Sequence, residues 1–235
     1  MPRIFQQPYS KDLYKMDAPA RYRTVSRSFF LVNAKGNYFK LTEYDVTGAA
    51  YEHLLLIAKL DMPEWIINYA IEDIDLVLYP DIDTQVAHLV DTNGESFEEI
   101  QIGRFAYSSM EIMKDCQSVY GKQIFGAFID NEYRTEGIGL QVYDFILDTY
   151  GCLISDNTQS VMGCNFWAQR LSMDYEVYTY DTNEKKVLER FSLESPCTLV
   201  PWSHQELDMA TISKLHPIPT TGEDRTHIVL FTQSN

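Results

Sequence analysis

Between Leu60 and Gly103 the chain has no lysine and no arginine. The same span carries Asp61, Glu64, Glu72, Asp73, Asp75, Asp81, Asp83, Asp91, Glu95, Glu98 and Glu99. Over all 235 residues, 19 basic side chains face 34 acidic ones, a formal charge of −15. A field of that sign repels nucleic acid and anionic membrane and attracts cations. It argues against direct nucleic-acid binding. Three readings remain: plain solubility, a surface that receives a basic amine or a lysine-bearing protein, or a surface that imitates DNA and occupies a nucleic-acid-binding partner.

Cysteine is scarce and unpaired in sequence. Cys116, Cys152, Cys164 and Cys197 form no CxxC motif, which argues against a zinc ribbon or disulfide framework and for a reducing compartment. Cys152 and Cys164 fall on apolar segments and read as small core residues. The five histidines, His53, His88, His204, His216 and His227, show no metal-ligand spacing, so no metal site is expected. No run of about 18 apolar residues occurs, and no membrane-spanning helix is expected. Residues 1–25 lack an apolar signal core and read as a polar arm that would pack in a homodimer. A cytoplasmic protein without a membrane partner is the resulting expectation.

What the chain does have is apolar mass, 45% hydrophobic and 13% aromatic. That is enough to bury one core, with residues 26–235 as a single domain. Ser28–Val32 and Tyr38–Leu41 read as a hairpin closed by residues 33–37. Val46–Lys59 and Met62–Glu72 read as helices, the second with Pro63 in its first turn. Val86–Val90, Glu99–Arg104 and Phe105–Met113 read as β segments, with Asn93-Gly94 as a turn. His227–Phe231 reads as a strand near the end of the chain.

The most informative segment is Gln123–Tyr150. Ile124, Phe125, Ala127, Phe128 and Ile129 form a short apolar strand. A polar turn, Asp130 to Glu136, leads into Gly137-Ile138-Gly139. A helix follows, with Leu140, Tyr143, Ile146 and Leu147 on one face. Strand, glycine-rich turn and helix aim backbone N–H groups and a helix's positive end at a phosphate, and glycine lets that phosphate approach. No Gly-Lys-Ser/Thr follows, so this is not a P-loop. The glycine spacing also fails a dinucleotide fingerprint. Beyond it, Gly151–Ser155 reads as a strand, Asp156–Ser160 as a capping loop and Val161–Leu171 as a helix. Tyr175–Asp181 then reads as a strand, followed by the turn Thr182–Lys185.

Arg134-x-x-Gly137-x-Gly139, with this element order from about residue 120 to 188, resembles the acyl-CoA-binding half of the GNAT superfamily of N-acetyltransferases. The resemblance implies an α/β (α+β) fold: a GNAT-like mixed, mostly antiparallel central sheet flanked by helices, its strands splayed at the phosphate loop. It implies an N-acyltransferase moving an acetyl group from acetyl-CoA to an amine on a small molecule, a protein lysine or a modified base. Arg134 and the backbone of Thr135, Glu136, Gly137, Ile138 and Gly139 would hold the diphosphate. Phe128 and Ile129 would pair with the pantetheine arm. Asp130, Glu132 and Asp156 are the candidate bases for the amine. The family's thiolate-protonating tyrosine has Trp167 at its place, and indole is no such acid; Tyr175 and Tyr178, beyond the helix, are the candidate substitutes, Tyr175 the first of them.

Residues 154–171 are also similar to acetyltransferase-like proteins encoded by bacteriophages, which implies a host bacterial cytoplasm. The other function open to this resemblance is a non-catalytic acidic binding protein that blocks a host nucleic-acid-binding or defence factor.

Overall fold

The computed structural model describes residues 3–5, 23–33, 35, 37–61, 98–192, 200–204, 207–215, 217–221 and 226–234. The predicted helix Met62–Glu72, strand Val86–Val90 and turn Asn93-Gly94 lie outside them, as does most of the acidic span. The chain divides into two units. One comprises Asp17–Ala106 and Ala127–Gln141; the other comprises Met1–Met16, Tyr107–Gly126 and Val142–Asn235.

In the first unit, β2 (Arg23–Val32) and β3 (Tyr38–Val46) form an antiparallel hairpin, and β4 (His53–Asp61) pairs antiparallel with β3. The expected helix Val46–Lys59 is therefore β4 preceded by a bend. Its Leu54–Ala58 stretch, LLLIA, is a continuous apolar run, and periodicity cannot tell such a run from a buried helix. Pairing with β3 decides the matter: Leu54, Leu55 and Ile57 become fully buried. Each such side chain contributes about 1.5–3 kcal/mol by burial.

The two β segments expected at Glu99–Arg104 and Phe105–Met113 are one strand, β5 (Glu98–Lys114). It turns into β6 (Gln117–Ile129) through Asp115 and Cys116. Both turn residues have positive φ, 52° and 62°, the geometry of a two-residue hairpin turn whose twist suits the flanking strands.

After β6 comes a single 3-10 turn, Asn131–Tyr133, then helix α1 (Ile138–Tyr150) and β7 (Cys152–Ile154). Strands β6 and β7 pair parallel over Lys122–Leu153 and Gln123–Ile154 only, while β6 runs on to Ile129. Then follow β8 (Thr158–Ser160) and a helix α2 over 161–174, whose middle, Phe166–Leu171, is π-helical. Strands β9 (Val177–Asp181) and β10 (Lys186–Phe191) form a hairpin through the expected turn at 182–185. The remaining elements are β11 (Ser203–His204), a short helix α3 (Met209–Ile212), β12 (Thr220–Thr221) and β13 (Ile228–Gln233).

The terminal strand β13 lies between β9 and β7, antiparallel to both. Its Val229 and Phe231 join Ile112, Cys152, Ile154 and Tyr180 in the second unit's core, with Tyr178 stacked on Phe231 at 5.4 Å. Of the N-terminal arm, Arg3–Phe5 is a described strand, β1, between β8 and β11 in a small parallel sheet.

The hydrogen-bonded order of the larger sheet is β10-β9-β13-β7-β6-β5-β4-β3-β2. Strand accounts for 53% and helix for 21% of the described residues. This overturns the expected GNAT-like α/β layering, a central sheet flanked by helices. Among the described residues the fold is a nine-stranded mixed sheet, with a smaller four-stranded one and few helices. The local reason is that the apolar runs before residue 114 are β-ladder partners of one another, not helix faces.

Candidate anion-binding loop

The loop that leaves β6 is built by backbone bonds within the first unit. The Asp130 amide donates to the Ile102 carbonyl at 2.8 Å, which ends β6 against β5. Tyr133 N–H donates to Asp130 O at 2.9 Å, and Glu136 N–H to Tyr133 O at 3.1 Å. Gly137 then takes φ +81°, and its carbonyl accepts from the amides of Leu140 and Gln141 at 3.1 and 3.2 Å, starting α1. The Gly137, Ile138 and Gly139 amides donate to no acceptor among the described residues. These are the N–H groups that a helix leaves without an internal partner, and they sit at its positive end.

A Cβ built on Gly137 would meet nothing within 4 Å, whereas one on Gly139 would touch Ile129 Cδ1 at 3.5 Å. Among the described residues nothing fills the space beside Gly137. A diphosphate fits this donor set: three amides in series, a glycine that leaves room, and an arginine in the same turn. Two details modify the sequence expectation. The Glu136 amide is already used by Tyr133. Arg134 folds back, its Nε donating to Ile129 O at 2.8 Å and its guanidinium lying 5.8 Å from the Phe128 ring centre. Ile129 thus gives part of its carbonyl to Arg134.

The candidate bases fall in different units. Asp130 is half-buried and Glu132 exposed, both in the loop. Asp156 is half-buried in the second unit, where its carboxylate raises the pKa of buried Tyr143, though burial does so more. Tyr175 donates its hydroxyl proton to Asp144 Oδ1 at 2.6 Å. Burial, then that carboxylate, push the Tyr175 phenol above its ordinary range, so it holds its proton at neutral pH. Trp167 is 3% exposed and meets Tyr143 edge-on at 6.4 Å; it is a packing residue. Burial pushes the Cys152 thiol up to about 12 and that of Cys164 higher still, which suits core residues and not nucleophiles. Cys197, His88 and His216 lie outside the described residues.

Sequence reasoning missed four residues. Asn33, Lys35 and Asn37, in the β2–β3 turn, all reach the Glu136 carboxylate. No local signal marks a contact across about a hundred residues. The fourth is Asp144, the Tyr175 acceptor, which reads as one more polar position on an amphipathic helix.

Asp144 supports a pH prediction. Its pKa is raised, first by burial, against the opposing hydrogen bond from Tyr175, and further by Asp148 and Asp174. Between the ordinary aspartate pKa and the raised one, the folded chain binds more protons than the unfolded chain. Stability therefore falls as pH rises through that window. Asp144→Asn keeps an acceptor for Tyr175 without the charge. We expect it to melt higher than the parent at neutral pH and to lessen the fall in melting temperature as pH rises above the ordinary aspartate value of about 4. A thermal denaturation series checks this; a lower neutral melting point would contradict the sign.

Among the described residues no helix is long and apolar enough to cross a membrane, and no three His, Cys, Asp or Glu side chains converge on a metal-sized site. No protein-family model, curated protein or solved structure matches this chain.

Proposed function

We propose that the chain binds acetyl-CoA by its diphosphate at the head of α1 and transfers the acetyl group to an amine. One observation carries this reading. Gly137, at φ +81°, opens a 13-residue helix whose three successive leading N–H groups donate to no acceptor among the described residues, with open space among those residues beside Gly137. Residues 128–129 lie immediately before the loop and would run beside the pantetheine arm. The amine nitrogen attacks the thioester carbonyl, the C–S bond breaks, and CoA leaves as thiolate. The amine proton passes to Asp130 or Glu132, the candidate carboxylates in the loop's own unit, and the thiolate takes a proton from solvent.

The packed Trp167 and the engagement of Tyr175 with Asp144 favour a second reading, an acidic protein that binds a partner without catalysis. Calorimetry with acetyl-CoA separates the two. Saturable binding together with release of free thiol when an amine is added supports the first. Binding without turnover supports a CoA-dependent binder, and no heat at millimolar ligand removes the coenzyme altogether.

Arg134 gives a graded test. Its guanidinium sits on the loop through Ile129 O and Phe128, and a charge-assisted contact to phosphate is worth about 1.5–3 kcal/mol. Arg134→Ala is therefore expected to weaken CoA binding by roughly 10- to 150-fold. Arg134→Lys should restore little, because a lysine can match neither the Nε bond nor the stacking on the ring. A dissociation constant that Arg134→Ala leaves unchanged would show that this side chain serves the turn alone.

A further inference from the structure

A carboxylate beside a helix's first turn ordinarily bonds to the helix amides and complements its positive end. Glu136 does not. Its carboxylate is drawn to the β2–β3 turn, where Oε2 accepts from Asn33 Nδ2 at 2.6 Å and Asn37 Nδ2 at 3.2 Å. Lys35 Nζ lies 3.2 Å from Oε1, and the Glu136 side chain is only 9% exposed. Asn33 is itself 6% exposed and organises the turn that holds it. Its Oδ1 accepts from the amides of Lys35 at 3.0 Å and Asn37 at 2.9 Å. From the first turn of the helix, Gln141 Nε2 also donates to Val32 O at 3.3 Å. The hairpin thus supplies two amide donors and one cation to the carboxylate of the residue that precedes Gly137.

We propose that Asn33 is a positioning residue that acts through Glu136. By holding that carboxylate on the hairpin, with its charge matched by Lys35, it keeps the chain's own anion off the Gly137–Gly139 amides and leaves them to an incoming diphosphate. This rests on the acetyl-CoA reading and adds to it. The β2–β3 turn sets how well the loop accepts an anionic ligand, although it contributes no ligand-binding amide. Released, Glu136 competes with the diphosphate for the same helix end.

The test is calorimetry of the full chain with CoA, run on the parent and on Asn33→Ala, Glu136→Gln and the double variant. Asn33→Ala is expected to weaken CoA binding about ten-fold, the value of one lost charge-assisted hydrogen bond. In the Glu136→Gln background, where no competing anion remains, the same change should cost no more than about two-fold. A purely structural asparagine would weaken binding equally in both backgrounds, and that result overturns the proposal, as does an unaffected Asn33→Ala. Should Asn33→Ala fail to fold, Lys35→Met serves instead, since Lys35 is 62% exposed. Its loss of affinity should likewise shrink when Glu136 is Gln, and an equal loss in both backgrounds overturns the proposal. A parent chain that binds no CoA removes the acetyl-CoA reading itself. A parent that binds with no Asn33–Glu136 coupling removes only this inference.

Discussion

Gly137→Trp is expected to abolish CoA binding, raising the dissociation constant by at least about a hundred-fold, close to 3 kcal/mol. Two effects are folded into that number, and a second substitution separates them. Gly137 has φ +81°, so any L residue there carries strain of about 1–2 kcal/mol, which asparagine relieves better than most. The other effect is occupancy. Among the described residues nothing lies within 4 Å of a Cβ built at this position, so none of them requires the side chain to be missing. Gly137→Asn should then fold and melt close to the parent. It should still bind CoA far more weakly, because its amide fills the space beside the helix amides. Equal CoA affinity for parent and Gly137→Asn would mean that the glycine serves backbone conformation only and that no diphosphate uses this space. Loss with Trp but not with Asn would place the ligand near, but not against, the loop.

The stretch from Ile124 to Tyr150 was legible because its structure is local. A short apolar run, a polar turn, a glycine and a 3.6-residue stripe each set their own neighbours, and β6, the turn and α1 follow the expected order. The Ser160 cap was legible for the same reason, its Oγ accepting from Gly163 N–H at 3.1 Å. The fold class was not. The run from His53 to Leu60 satisfies helix and buried strand alike, and only its partner β3 decides. The chemistry was legible as residue types and not as arrangement. Arg134 was identified, but its bond to Ile129 O depends on how the turn folds back. The Glu136 backbone was read as part of a phosphate grip, whereas its amide goes to Tyr133 O and its carboxylate to Asn33, 103 positions away. Candidate bases spread over Asp130, Glu132 and Asp156 could not be placed on one side of a reacting amine by spacing alone.

The β6–β7 strand pair depends on a glycine that no sequence motif singles out. Gly121, on β6, lies so near β7 that an added Cβ would stand 2.6 Å from the Cys152 carbonyl oxygen, 2.7 Å from its Cβ and 2.8 Å from its Sγ. Atoms do not share such distances, so Gly121→Ala must push the two strands apart where Lys122–Leu153 and Gln123–Ile154 pair. Strand β7 is fully buried and bonded on its other side to β13; it cannot retreat without disturbing the core around Ile154 and Phe231. We expect a loss of about 3 kcal/mol or more, at the upper end for overpacking. For a chain of this size that corresponds to roughly 6–12 °C in melting temperature. Trimming the neighbour distinguishes a backbone clash from a side-chain clash. Cys152→Gly removes Cβ and Sγ but leaves the carbonyl oxygen, the nearest atom, in place. The double variant Gly121→Ala, Cys152→Gly should therefore regain at most part of the loss. Full recovery would show that only the thiol stood in the way, and an unchanged melting point for Gly121→Ala alone would show that β6 and β7 do not approach this closely in solution.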